Sequence, residues 1–430
     1  MAMVVKNNMS AISTLNTLNK NSSALSKSLQ KVSSGMKING AADDASGYAI
    51  SERMRVQIRG LDQANQNTQN GSSMMKVAEG AVSSTVDILK TLKEKVINAA
   101  NDTNTDADRQ TIQKELDQSI DQINDNANVT YNGKYLVDGS HNSSVKATTT
   151  SMTNQSLNTG SSFASTFTAL TDRNNNSLNI QSSDTITLSY VKEGKTHTVT
   201  ATGASSLDDI IGQVKTDLVS GTASSVIGKD VAGDTVFTAD GASALTLTAN
   251  GTGIEKQISG ITFSVTDTKG NVKKSANALL DNFSESIRAQ NGSNDNSINL
   301  QVGTKSNQAI KVGLTDMRAE ALGLQAKDGT TLNISTKEYA NAAINVLDSA
   351  VQKALDQQTT IGAVQSRLEY TSSNLTTASE NVQSSESTIR DADMAKEMTN
   401  YTKNNVLMQA AQAMLSQANQ SSSSVLSLLQ

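Results

Sequence analysis

The 430-residue sequence has no cysteine and no proline, and only 3% of it is aromatic. Without cysteine, disulfides and thiolate metal sites are excluded. Average usage of about 5% would put roughly twenty prolines in a chain this long. Their absence removes slow cis–trans isomerisation from folding and the residue that most readily breaks a helix. Both properties suit a chain that crosses a membrane unfolded and folds quickly outside. The apolar share is 36%, which with so few aromatics favours long, thin helical packing over an enzyme core with deep pockets. The 36 basic residues are offset by 41 acidic ones, a net charge of −5, so nothing points to nucleic acid. No run of 18 apolar residues predicts membrane insertion. Met1 to Asn8 lacks the basic and apolar regions of a cleaved signal peptide.

What the chain does have is helical periodicity at both ends. Apolar or small residues recur at Ile361, Val364, Leu368, Thr371, Leu375, Ala378, Val382, Ser385, Ile389 and Ala392. This alternation of three and four is the seam of a long helix lying along another helix. The segment spans about 47 Å at helical rise. A second stripe runs through Ile12, Leu15, Leu18, Ser22, Leu25, Leu29, Val32 and Met36, and stops near Gly35 and Gly40. Asp43 or Asp44 is placed to cap a second helix, which continues past Gly60, Gly71 and Gly80 to about Ala100. After a polar break at Asn101–Asp106, Ile112, Leu116, Ile120 and Ile123 mark a shorter helix. Tyr131-Asn132-Gly133-Lys134 reads as a turn. Methionines at helical apolar positions read as adaptable packing.

From about Ser140 the composition turns to Ser, Thr, Asn and Gly. Residues 185–191 alternate, turn at Glu193-Gly194, and alternate back over 196–200, a hairpin. Ser206–Ile211 opens a short helix. Val236–Thr238, Leu245–Thr248 and Ile261–Val265 are further strands. The fold class expected is mainly α at both termini, with long coiled-coil helices and a helical bundle layer. Inserted between them is an α+β, mostly β, variable surface domain. A rod with apolar residues along it needs covering, and neighbouring copies are the economical partner.

Catalytic chemistry has little to stand on. His141 and His197 are the only imidazoles, no His-Glu-x-x-His exists, and neither histidine lies near a nucleophile elbow. His197 reads as a surface residue. Asp43-Asp44 and Asp391/Asp393 read as helix caps and intersubunit hydrogen-bonding groups rather than metal ligands. No catalytic residue, metal or cofactor is assigned.

Several motifs carry a family resemblance. Near the N-terminus they are Leu29-Gln30-Lys31-Val32-Ser33-Ser34-Gly35-Met36-Lys37-Ile38-Asn39, Ala41-Ala42-Asp43-Asp44-Ala45-Ser46-Gly47 and Gln57-Ile58-Arg59-Gly60-Leu61. Near the C-terminus they are Gly362-Ala363-Val364-Gln365-Ser366-Arg367-Leu368-Glu369, Ile389-Arg390-Asp391-Ala392-Asp393-Met394-Ala395 and Val425-Leu426-Ser427-Leu428-Leu429. In this order, at both ends, the chain resembles bacterial flagellin. The resemblance implies an extracellular filament subunit used in motility. It implies export by the flagellar type III apparatus, and an export chaperone, cap and hook-associated proteins as partners. Residues 1–44 with 394–430 would be inner-tube helices. Residues 45–140 with 297–393 would form the outer helical layer, and 141–296 the variable surface domain. The self-assembly residues are Leu15, Leu18, Leu25, Leu29, Val32, Ile361, Val364, Leu368, Leu375, Val382, Ile389, Leu426, Leu428 and Leu429. Family members often carry a proline where this chain has Ser421–Ser424. The rival readings are a hook–filament junction protein and a secreted adhesin whose helices serve only export.

The resemblance also implies contact with an animal Toll-like receptor. In strongly sensed members an arginine and a leucine on the first outer-layer helix, and a glutamate on the next, dominate that contact. Aligned on Glu94 and the Asn101 break, the glutamate is kept as Glu115, the arginine position holds Thr91, and the leucine position holds Lys95. Losing a hot-spot arginine commonly costs more than about 1 kcal/mol, and lysine fills an apolar contact only by desolvating its charge. Weak sensing is expected, unless Lys90 or Leu92 substitutes.

Overall fold

The computed structural model describes residues 8–223, 227–229, 235–237 and 244–428. They fall into two compact units. The first comprises Met1–Thr68, Gln301–Gln308 and Tyr370–Gln430, and the second Gln69–Leu300 and Ala309–Glu369.

Helix α1 (Met9–Ser34) starts where the Asn8 side chain accepts the Ala11 N–H at 3.0 Å. It stops at Gly35, whose φ of +70° is the left-handed conformation that glycine adopts without penalty. Asp44 Oδ1 accepts the N–H groups of Ser46 and Gly47, both at 3.0 Å, at the start of α2 (Ala45–Ala99). Two interior glycines of α2 give room to other chain. A Cβ on Gly60 would lie 2.9 Å from Thr304, and one on Gly71 would lie 2.7 Å from Leu300. Helix α3 (Asp106–Ala127) opens on a capping box between Thr105 and Asp108 and buries Leu116, Ile120 and Ile123. Buried Arg109 reaches back to the carbonyls of Ala99 and Asn101, at 2.9 and 3.0 Å. Strands β1 (Thr130–Tyr131) and β2 (Lys134–Tyr135) are joined by Asn132 and Gly133, both with positive φ, the geometry of a tight hairpin.

The middle of the second unit is mostly strand. Its elements are β3 (Ser151–Asn154), β4 (Thr185–Lys192), β5 (Lys195–Thr202), α4 (Leu207–Gln213), β6 (Leu218–Ala223), β7 (Ile227–Lys229), β8 (Thr235–Phe237), β9 (Ala244–Ala249), β10 (Ile258–Thr266), α5 (Lys274–Leu280) and β11 (Phe283–Ile287). One sheet runs β10-β4-β5 and another β11-β3-β9-β6. The expected hairpin is β4–β5, turning at Glu193 and Gly194. The third residue of the expected 236–238 strand, Thr238, lies outside the described residues. Ile186, Leu188 and Tyr190 of β4 belong to a core shared with Phe167, Ile210, Ile211, Leu247 and Phe263. Phenylalanines gather there: the Phe263 ring lies 6.4 Å from Phe167 and 5.8 Å from Phe283.

The outer edge of β10 is closed without a further strand. Asn277 accepts the Val265 N–H at 2.8 Å, Asp281 accepts the Phe263 N–H, the Lys273 N–H donates to the Val265 carbonyl at 2.9 Å, and Asn345 donates to the Ile261 carbonyl at 3.0 Å. Burial pushes the Asp281 carboxyl up to about 7, although the Phe263 N–H favours its charged form.

Past β12 (Ile298–Gln301), β13 (Ala309–Val312) and α6 (Ala319–Leu322) comes α7 (Lys337–Arg390), followed by α8 (Met394–Leu428). Within each unit, α7 runs antiparallel to α2. In the second unit Lys93 pairs with Asp348, and Gln365 donates to Glu79 at 2.7 Å. In the first, Ser372 donates to Asn65 at 2.7 Å and Ser379 to Asp62 at 3.0 Å. Two sequence expectations need correction. Ala392 and Met36, the last members of their stripes, lie beyond α7 and α1. Gly35 has already ended α1, and the two breaks zip together: Met36 bridges Asp391, and the Ala392 N–H donates to the Gly35 carbonyl at 2.9 Å.

Candidate assembly surface

Helices α1 and α8 lie antiparallel in the first unit. Asn8 donates to the Ala418 carbonyl, Asn21 to the Leu407 carbonyl and Asn404 to Ser28 Oγ, each at 3.1 Å. The shielded positions mix small or polar residues (Ala11, Thr14, Asn21, Ala24 and Ser28 on α1; Asn400, Asn404, Ala411 and Ala418 on α8) with Leu18, Leu25 and Val32 of α1 and Met408 and Leu415 of α8. Other large apolar residues remain outside. Met9, Ile12, Leu15 and Leu29 of α1, and Met394, Met398, Val406, Leu407 and Met414 of α8, are exposed.

The stripe expected on α1 is therefore split. Leu18, Leu25 and Val32 are half-buried, whereas Leu15 and Leu29 are open to solvent. On α7, Ile361 and Leu368 are fully buried, and Val364, Leu375, Val382 and Ile389 are half-buried. Leu426 and Leu428 fall within α8, but their side chains, and all of Leu429, lie outside the described residues. The sequence reading misses the outward residues of α8. A signal for them exists: α8 has apolar residues on more than one face, which one partner helix cannot cover.

The joint between the terminal and long helices centres on Arg390, which is 5% exposed. Its guanidinium donates to Glu52 at 2.6 Å, to Ser51 at 3.4 Å and to the Met36 sulfur at 3.2 Å, and sits 5.5 Å from the centre of the Tyr48 ring. The Lys37 N–H donates to the Arg390 carbonyl at 2.7 Å. The hydrogen bond and charge of Arg390 hold the Glu52 carboxyl below its ordinary range. Of the aspartates read as caps, Asp44 and Asp393 cap helices, whereas Asp391 lies past the end of α7 and accepts the Ser387 hydroxyl at 2.6 Å, and Asp43 bonds within the loop before α2. Asp393 accepts the N–H groups of Ala395 and Lys396 at 3.0 and 3.2 Å, and Asp43 accepts that of Asn39 at 3.1 Å.

Other candidate sites are chemically quiet. A cavity of about 260 Å³ in the second unit is lined by Arg288, Arg318 and Lys353. Each cation already faces a carboxylate: Asp356 at 2.7 Å, Asp316 at 2.6 Å and Glu285 at 3.7 Å respectively. His197 is exposed and stacks on Tyr190 at 5.1 Å. Among the described residues no His/Asp/Glu group is placed to hold a metal, and no helix is long and apolar enough to cross a membrane. At the positions aligned with the receptor contact, Lys95 forms an ion pair with Glu115 at 3.0 Å. The Thr91 hydroxyl donates to the Asp87 carbonyl of its own helix at 3.0 Å. Leu92 is buried.

Comparison with known proteins addresses the same regions. Residues 5–142 match the bacterial flagellin N-terminal helical region, and 344–429 the bacterial flagellin C-terminal helical region. A flagellin from Clostridium tyrobutyricum is 36% identical over 422 residues, covering 97% of this chain and 99% of that one. A flagellin from Bacillus subtilis (strain 168) is 30% identical over 447 residues, covering 99% of this chain and 100% of that one. Among solved structures, FliC from Burkholderia pseudomallei aligns over 69% of this chain and 99% of its own, at 17% identity and a TM-score of 0.26. With both helical regions matched and relatives of this identity along nearly the whole length, the chain belongs to the bacterial flagellin family, the structural subunits of the flagellar filament.

Proposed function

We propose that polymerisation is driven by the outward apolar residues of α1 and α8, which neighbouring copies cover as each subunit joins the growing tip. The observation that carries this reading is the exposure of Ile12, Leu15, Leu29, Val406 and Leu407 on a helix pair that shields Leu18, Leu25 and Val32 but leaves these outside. Exposed apolar side chains gathered on one helix pair mark an interaction site, and fully burying one such side chain contributes about 1.5–3 kcal/mol. With so many apolar side chains left outside, the α1–α8 contact alone offsets only part of the entropy of ordering two helices. The pair therefore folds on addition to the tip and is disordered in the free subunit. Small shifts in its packing let protofilaments switch length and supercoil the filament.

In this reading residues 1–44 and 394–430 line the inner tube, 45–140 and 297–393 form the outer layer, and 141–296 face the medium. Export by the flagellar type III apparatus, with an export chaperone, cap and hook-associated proteins as partners, accompanies that role. Direct sensing by the host Toll-like receptor is weak, because Lys95 and Glu115 neutralise each other where an apolar residue and a free carboxylate are needed.

Negative-stain electron microscopy of seeded, purified protein tests the assembly reading. Long filaments of uniform width support it. Ile12→Glu with Leu407→Glu, or deletion from Ser421, abolishes them. Short rings alone would favour a junction protein, and monomer under all conditions an adhesin.

A further inference from the structure

The methionines are distributed unevenly between surface and interior. Among the described residues four are exposed: Met9 at 69%, Met394 at 43%, Met398 at 46% and Met414 at 62%. All four lie on α1 or α8. Met74, Met75, Met152 and Met317 are buried, and Met36, Met54 and Met408 are half-buried. The chain has no cysteine, so thioethers are its only sulfur chemistry, and among the described residues the exposed ones lie on the two helices that assembly must cover.

We infer that Met9, Met394, Met398 and Met414 form an oxidation site that makes assembly redox-sensitive, an inference that rests on the assembly reading above. The oxidant class is a peroxide. A lone pair of the thioether sulfur attacks one peroxide oxygen and the O–O bond breaks. The departing hydroxide takes up the proton left on the transferred oxygen and leaves as water. Sulfur is oxidised by two electrons to the sulfoxide, and the peroxide is reduced. The product replaces a flexible apolar side chain with a polar one bearing a strong hydrogen-bond acceptor, which disrupts methionine-rich contacts. Packed between helices, that oxygen has few donors: helical N–H groups are already bonded within their own helices. Its desolvation therefore opposes docking. Thiol-driven sulfoxide reductases reverse the change. A free subunit is thus open to inactivation, and a subunit within the filament is shielded.

The test uses the full chain and hydrogen peroxide. Peptide mapping by mass spectrometry of the treated free subunit is expected to show sulfoxide at the four exposed positions roughly tenfold faster than at Met75, Met152 and Met317, following exposure. Equal rates would overturn the site. Seeded assembly is then followed by sedimentation, each protein against its own untreated sample. Oxidised wild type is expected to assemble at least about tenfold less, with recovery after methionine sulfoxide reductase treatment. A variant with all four positions changed to Leu is expected to lose nothing further on peroxide treatment. Full assembly of subunits carrying all four sulfoxides, or an equal peroxide loss in the Leu variant, would overturn the inference. Failure of untreated wild type to assemble would instead sink the assembly reading, while the sulfoxide map would still judge the oxidation site.

Discussion

Arg390 and Glu52 meet at 2.6 Å beside the two breaks that separate the terminal helices from the long ones. The first break begins at Gly35 and the second follows Arg390 itself, so one guanidinium serves two helix breaks distant in sequence. Arg390→Ala removes the donor to Glu52, Ser51 and the Met36 sulfur together. Faster amide exchange is expected at residues 35–39 and 390–395, with the strand core of the second unit unaffected. Lysine restores the charge but not the fork of donors, so Arg390→Lys is expected to recover protection only in part. Unchanged exchange in Arg390→Ala would remove this residue from the joint.

Asp281 gives the strand domain a pH dependence. Its carboxyl titrates at about 7 when folded, against about 4 in an unfolded chain. Between these values the folded chain holds the extra proton, so this stabilising contribution is fully present below about 4 and declines as pH rises through about 7. Asp281→Asn keeps an acceptor for the Phe263 N–H and removes the titration. Thermal unfolding is expected to show the variant more stable than wild type at pH 8, with the gap closing toward pH 4. A constant gap across that range would contradict the assignment.

Phe263 is buried beside Phe167 and Phe283 in a chain that is only 3% aromatic. Phe263→Ala is expected to cost the strand domain about 3–5 kcal/mol, measured by denaturant unfolding monitored on its near-ultraviolet signal. Filament formation through α1 and α8 should persist at temperatures where the domain remains folded. Loss of filaments there would show that the middle takes part in assembly.

Thr91→Arg with Lys95→Leu is expected to raise potency in a Toll-like receptor reporter assay. The pair supplies the missing cation and apolar group, and removes the lysine that occupies Glu115. Potency unchanged from wild type would place the weakness elsewhere.

The helical ends are legible in the sequence because their signals are local. Asn8, Gly35, Asp44 and Thr105 mark helix boundaries within a few residues, and the periodicity of α7 needs no knowledge of its partner. The β4–β5 hairpin is equally plain from its alternation and its Glu193-Gly194 turn. Strand β3 is not, because Ser151-Met152-Thr153-Asn154 reads as loop. It is wholly buried, with Ser151 hydrogen-bonded to Thr248 at 3.0 Å and Asn154 to the Leu279 carbonyl at 2.8 Å. Partners about 100 residues away decide whether such a polar run is interior. For the assembly surface, sequence periodicity locates an apolar stripe on α1 but not the angle at which α8 meets it. That angle determines why Leu18 is shielded and Leu15 is open. The role of Arg390 is hidden for the same reason: its contacts come from residues near positions 36 and 52.

The closed edge of β10 has a consequence for a protein that must polymerise. Subunits stored side by side at high density present every unpaired strand to its neighbours, and an open ladder of N–H and C=O groups recruits strands from other chains. Along β10, side chains from α5 and its flank and from α7 occupy those groups at Phe263, Val265 and Ile261. Growth along this edge is thereby denied a template, and the competing product of crowding, a cross-β aggregate, loses one of its starting points.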